Sequence, residues 1–177
     1  MNLALAFDEL LHRPDIADIV KDVQTRIHAA GHGWILDQAD AATRDTNSVL
    51  TAAAAAAGSN ALHLNLVDHP DWVRLGLLDT LARWAAGQAS TCMHSPNVMR
   101  PQPVLAAAWK PGLVVCAACA HLLQLPKGSA RDRTCDACGV VVPSSGAIWS
   151  TAASHGGFVY QVGVCEPCRY WPVPADA

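Results

Sequence analysis

The chain has 177 residues, of which 51% are hydrophobic and 15% are charged, and its formal net charge is −3. This composition excludes a mostly disordered polyelectrolyte, because enough apolar surface is available to form a core. A net charge this small does not indicate nucleic-acid binding through a broad basic field. Two uncharged stretches, 46–67 and 137–165, contain many polar residues, glycines and prolines, so no membrane span is expected.

The first half of the sequence predicts an α-helical unit. A short helix is expected over 3–11, and apolar residues recur with helical spacing over 15–30 and again over 71–86. The last two segments each have a proline at the start and a glycine just after the end, as helices often do. A run of six alanines predicts another helix over 49–57. We therefore expect a bundle-like helical domain over residues 1–88.

The second half, residues 92–177, contains all seven cysteines and most of the prolines. The prolines interrupt helices, so only short elements are expected there. Short apolar, β-prone runs predict strands over 113–115, 122–125, 140–142 and 158–164. The expected fold class is therefore α+β, with a helical half followed by a small β-rich half.

Six of the seven cysteines occur as Cys-x-x-Cys pairs. This spacing lets two thiolates face one tetrahedral metal ion, and Gly139, directly after one pair, allows the tight backbone turn of a zinc knuckle. Three such pairs within 53 residues leave chance a minor explanation. The pairs are Cys116 and Cys119, Cys135 and Cys138, and Cys165 and Cys168.

Six sulfurs fill one four-ligand site and half of another. Cys92 and His94 supply the two missing ligands, so the expected cofactor is a pair of zinc ions in closed, structural sites. The alternative is a single zinc, with Cys92 a buried thiol and His94 a surface residue. His121 and His155 are the substitutes for His94. The expected ligands are Cys92, His94, Cys116, Cys119, Cys135, Cys138, Cys165 and Cys168.

The four ligand pairs, numbered in chain order, can form two sites in three ways. The fifteen residues between Cys119 and Cys135 favour a zinc-ribbon arrangement, which joins the second pair with the third. Loop closure favours a sequential arrangement of first with second and third with fourth. A cross-brace, similar to that of RING-type domains, would join first with third. We expect the ribbon; the segment 116–139 resembles a zinc ribbon, a module shared by proteins of many functions.

The preferred functional hypothesis is a cytoplasmic, non-enzymatic adaptor or regulatory protein whose partner is a protein. The start of the chain lacks a secretory leader, which favours the cytoplasm. The first alternative is a nucleic-acid-binding regulator that uses Lys127, Arg131 and Arg133, three positive residues in one loop. The second is a zinc enzyme with an open metal position, although the sequence contains no HExxH, P-loop or GxSxG motif.

Overall fold

The computed structural model describes residues 2–58 and 64–169, and its fold is α+β. Residues 170–177, which belong to the expected second domain, lie outside the described part. The helices are α1 (Leu3–Leu11), α2 (Ile16–Ala29), α3 (Gly33–Ala56) and α4 (Asp71–Ala85). The strands are β1 (Ser90–Thr91), β2 (Val104–Ala107), β3 (Leu113–Cys116), β4 (Ile148–His155) and β5 (Phe158–Cys165).

The five strands form one mixed sheet in the order β1-β3-β2-β5-β4. Strands β4 and β5 are an antiparallel hairpin with eight consecutive residue pairs, from Ile148 opposite Cys165 to His155 opposite Phe158. The turn has two glycines, and Gly156 has a φ of 57°, which favours glycine. Strand β2 is parallel to β5 and antiparallel to β3, and β1 adds a two-residue parallel pair to β3.

The main core lies between the sheet and helices α1 and α4. Helical and strand residues fill the same cluster. Among the described residues, the buried side chains of α1 and α4 in this cluster pack with the sheet, so the expected helical bundle is not confirmed. The buried members include Ala4 of α1, Val73, Leu77 and Leu78 of α4, and Val104, Val114, Ala153, Phe158, Tyr160 and Val162 of the sheet.

The buried guanidinium of Arg74 fastens α1 to α4. It donates to the carboxylate of Asp8 in α1 at 2.6 Å, to that of Asp71 at 2.9 Å and to the backbone carbonyl of His69 at 2.9 Å. The arginine side chain is only 9% exposed, and burying a charge is costly unless it is paired and hydrogen-bonded. Asp8 also raises the pKa of Arg74 through that hydrogen bond.

Helices α2 and α3 lie outside this core. The helix predicted over 49–57 is the end of α3. The long polar beginning of α3 has only a weak apolar periodicity, because α3 buries only Ala42 and Thr46. Ala42 packs on the β4–β5 turn, where a Cβ on Gly157 would stand 3.0 Å from the Ala42 Cβ. None of the described helices is long and apolar enough to cross a membrane.

Two of the predicted strands are wrong. The 122–125 run overlaps a 3₁₀ segment, Ala117–Leu123, because a metal-ligand pair controls the backbone there. The 140–142 run forms a single bridge between Thr134 and Val141. The sequence did not predict β1, β2 or β4: β1 and β2 are short, and the small polar residues of β4 do not alternate with apolar ones.

Candidate metal centres

The structure brings the eight expected ligands together in two sets of four. The first centre consists of Cys92, His94, Cys116 and Cys119, and the second centre consists of Cys135, Cys138, Cys165 and Cys168. Within each set the ligand atoms lie within 4.8 Å of one another. The pairs therefore combine sequentially, which corrects the ribbon arrangement expected from the spacing.

The sheet explains this sequential grouping. Strand β3 ends at Cys116 and strand β5 ends at Cys165, and β2 lies between them in the sheet. Each strand runs into a 3₁₀ segment that carries the second cysteine of its pair, Cys119 or Cys168. Because β1 lies beside β3, the chain that follows β1 brings Cys92 to the first centre. Both centres are thus a strand-end pair joined by a pair from a preceding loop.

The separations between ligand atoms fit tetrahedral zinc. Sulfurs about 2.3 Å from a central zinc in a tetrahedron lie about 3.8 Å apart. The Sγ atoms of Cys92 and Cys116 are 3.7 Å apart, and those of Cys138 and Cys165 are 3.8 Å apart. Donor chemistry and spacing therefore both fit two divalent ions of the zinc type.

His94 joins the first centre through its Nδ1 atom. That nitrogen lies 3.4 Å from Cys116 Sγ and 3.3 Å from Cys119 Sγ. A tetrahedral zinc with one imidazole ligand places nitrogen and sulfur about 3.5 Å apart. Among the described residues, His121 and His155 belong to neither set, so His94 is the histidine that the fold places at the thiols.

Backbone N–H groups stabilise two of the buried sulfurs as thiolates. The N–H of Cys116 donates to Cys92 Sγ at 3.5 Å, and that of Cys165 donates to Cys135 Sγ at 3.4 Å. Burial raises the pKa of Cys92 and Cys135, but hydrogen bonds from backbone N–H groups and neighbouring thiols outweigh it and lower each pKa to about 6. Thiolate is the form that binds metal.

Cys119, another thiol of the first centre, behaves differently. Burial, together with the sulfurs of Cys92 and Cys116, raises the pKa of Cys119 to about 11. Several thiolates in one place repel each other unless a cation lies between them. A bound dication would relieve this repulsion and keep all the sulfurs deprotonated.

Asp136, between the two cysteines of the third pair, joins that pair to β5. The backbone N–H of Asp136 donates to the Gly163 carbonyl, and the Gly163 N–H donates back to the Asp136 carboxylate, each at 2.7 Å. The Arg131 guanidinium donates to the same carboxylate at 3.1 Å. A Cβ on Gly163 would stand 2.8 Å from the Ile148 side chain. This paired contact holds Cys135 close to Cys165.

The first centre has a comparable support in the β2–β3 turn. The indole N–H of Trp109 donates to the carbonyl of Leu123 at 2.7 Å. The Lys110 ammonium donates to the carbonyls of Leu122 and Gln124 at 2.6 and 2.9 Å. These bonds fix the end of the 3₁₀ segment that carries Cys119. The sequence contained no signal for this role, because a capping lysine looks like any surface lysine.

The three loop residues considered for nucleic acid are used differently. Arg131 donates to Asp136 and to the carbonyl of Ala108 at 3.2 Å, and Arg133 donates to the carbonyl of Val142 at 3.1 Å. Lys127 is exposed in the same loop. Two of the three cations are therefore bonded to the chain itself and brace the second centre.

Each centre supplies four nitrogen or sulfur ligands, which is the complete set of a structural tetrahedral site. A catalytic zinc keeps one position for water or substrate and therefore has three protein ligands. Metal held here would fix the ends of β3 and β5, and so the sheet, relative to the loops. Comparisons with protein-family models, with curated proteins and with solved structures found no match to this chain.

Proposed function

We propose that the protein is a non-catalytic, zinc-stabilised adaptor of the cytoplasm that binds a protein partner. Two closed four-ligand centres support a structural role for zinc, since neither has a ligand position left for a reaction. Seven thiols that hold metal require a reducing environment, which supports the cytoplasm. The zinc ions stabilise the sheet, and the sheet in turn supports the helices that bind the partner.

The binding surface is the exposed side of α2 and the start of α3. Helix α2 has an apolar stripe at helical spacing, yet none of its residues is buried. The side chains of Val20, Val23 and Trp34 remain 47%, 48% and 48% exposed. An ordered amphipathic helix whose apolar stripe leaves Val20 and Val23 nearly half exposed is the main observation behind the proposal, since exposed apolar patches mark interaction sites.

The charge of this half supports a protein partner rather than a nucleic acid. Residues 1–91 contain six lysines and arginines against eleven aspartates and glutamates. On α2 itself, Arg26 is paired with Asp22 at 2.8 Å. A phosphate backbone is attracted by a basic field, which this surface lacks.

The test combines metal analysis with affinity capture. Elemental analysis of the purified chain should give two zinc ions. The zinc-loaded chain, used as bait in a lysate, should retain a protein that binds it again when both are purified, and Val20→Asp with Val23→Asp should weaken that binding at least tenfold. Thr25→Asp, exposed on the opposite side of α2, is the matched control. Equal losses in both variants, or retention of RNA alone, would contradict the proposal.

A further inference from the structure

The two edges of the sheet differ strongly. At one edge, β1 is only two residues long and leads directly into the first centre. At the other edge, β4 has eight residues, about 27 Å of extended chain. Typical strands have about five or six residues, so β4 is a long edge.

Every second residue of β4 directs its backbone groups away from the sheet. In an antiparallel hairpin, residues alternate between those bonded to the partner strand and those pointing outward. His155 and Phe158 flank the two-residue turn and form a bonded pair, so the inward residues are odd-numbered. The outward set is Ile148, Ser150, Ala152 and Ser154. Within the described chain, no further segment forms backbone hydrogen bonds with this set.

The usual protections of an edge strand are missing from β4. Natural proteins shield such edges with lysines, prolines, bulges or very short strands. Residues 148–155 contain no charged residue and no proline, and their pairing with β5 runs without a bulge. An edge of this kind is a template for another strand.

We propose that two copies of the chain pair antiparallel through β4, forming a continuous ten-stranded sheet across a two-fold axis. Only registers that place outward residues opposite outward residues allow hydrogen bonds. The register centred on Thr151 gives all four outward residues a partner: Ile148 lies opposite Ser154 of the second copy, and Ser150 lies opposite Ala152. If the two-fold axis instead passed through Ala152, Ile148 would have no partner residue in β4 of the second copy.

The side chains of β4 are complementary to themselves in this register. Thr151 meets its own copy on the axis, and paired threonines are favourable across strands. The large Trp149 lies opposite the small Ala153. Arg169 stacks on the Trp149 ring at 3.9 Å, so the two copies of this charge lie at opposite ends of the paired strands. Like charges therefore do not oppose one another along β4.

Sedimentation velocity of the zinc-loaded, full-length chain tests the proposal. We expect a concentration-dependent species with twice the mass of the chain. Ser150→Pro removes one outward N–H without touching the bonds to β5 and should raise the dimer dissociation constant at least tenfold. Ser150→Lys, at an exposed position, is the second variant in case proline disturbs the hairpin. Ser150→Ala keeps the N–H and is the matched control.

A cross-link tests the register. Thr151→Cys should form an intermolecular disulfide with mild oxidised glutathione, because the two copies of residue 151 face each other. Ser154→Cys should not, because its own copy lies far along the strand; zinc content is checked in both. A monomer at all concentrations would overturn the proposal. So would a dimer unaffected by both Ser150 variants, which would place the contact on another surface such as α2.

Discussion

The hydroxyl of Tyr160 on β5 lies against Gly76 in the middle of α4, so closely that a Cβ on the glycine would stand 2.7 Å from the phenolic oxygen. Ring carbons of the tyrosine would be 3.2 and 3.3 Å away. Burial raises the pKa of Tyr160 to about 12, so the hydroxyl stays neutral. The glycine that weakens α4 as a helix is thus what allows the helix to approach the sheet.

Gly76→Ala should therefore destabilise the protein. Alanine improves helix propensity by about 1 kcal/mol, whereas forcing a methyl group into a packed core costs about 1–3 kcal/mol. We expect the free energy of unfolding, measured by urea denaturation of the zinc-loaded chain, to fall. Tyr160→Phe in the same background should restore part of it, with Tyr160→Phe alone as the reference. A stabilised single variant would show that the contact is not tight.

The sequential grouping of ligands can be tested by paired substitutions. Cys92→Ser with Cys116→Ser removes two ligands of one centre, so one zinc should remain. Cys119→Ser with Cys135→Ser removes one ligand from each centre, so zinc should fall towards none. Elemental analysis of the purified variants measures the number of zinc ions bound by each. A ribbon arrangement would give the reverse result for the two double variants, and a cross-brace would lose both ions in each.

Asp136→Ala should weaken the second centre specifically. The carboxylate bonds to Gly163 and Arg131, which position the loop pair against β5. Groups that orient metal ligands typically change affinity about 10–100-fold when removed. Competition with a zinc chelator should show one ion released more easily and the other unchanged. Asp132→Ala is the control, because its carboxylate accepts a hydrogen bond from the Gly128 N–H within the loop. If both variants released zinc equally easily, Asp136 would have no specific role at the second centre.

Arg74→Met should cost far more stability than Arg83→Met. Arg74 is buried between α1 and α4, and breaking a buried pair costs about 3–5 kcal/mol; the partial exposure of Asp8, at 20%, suggests about 3 kcal/mol. Arg83 forms an exposed pair with Asp79 at 2.8 Å, a type worth about 0–1 kcal/mol. Urea denaturation of both variants gives the comparison. Similar losses would mean that the Asp8 contact does not fasten α1.

Metal removal should loosen the sheet and α4 together. Leu77 of α4 and Val162 of β5 belong to one core, and β5 ends at the second centre. Removing zinc releases the end of β5. Because β5 and α4 share one core, α4 should then lose stability as well. Hydrogen exchange in chelator should show amides of α4 and β5 losing protection at similar rates. Full protection of α4 beside an unprotected β5 would instead indicate that the two halves fold independently.

Local patterns were sufficient to predict helices α1, α2 and α4. Helix α1 has the predicted bounds, and α2 and α4 begin or end within one residue of the prediction, because apolar spacing and flanking proline and glycine act locally. The beginning of α3 was missed, since a helix mostly in solvent has no strong apolar period. Strand β4 was missed for a related reason: its small polar residues are held by pairing with β5 rather than by their own preference.

The amino-acid sequence by itself determined which residues can hold metal. Thiol and imidazole chemistry, and the two-residue gap within each pair, are properties of the chain that survive any arrangement of the sheet. Only the tertiary structure decided which pairs share a centre, because that depends on β2 lying between the two strands that end in cysteine. It also decided the roles of Arg131 and Asp136, whose partners Ala108 and Gly163 are distant in sequence. Long-range strand pairing sets these contacts, and no local spacing encodes it.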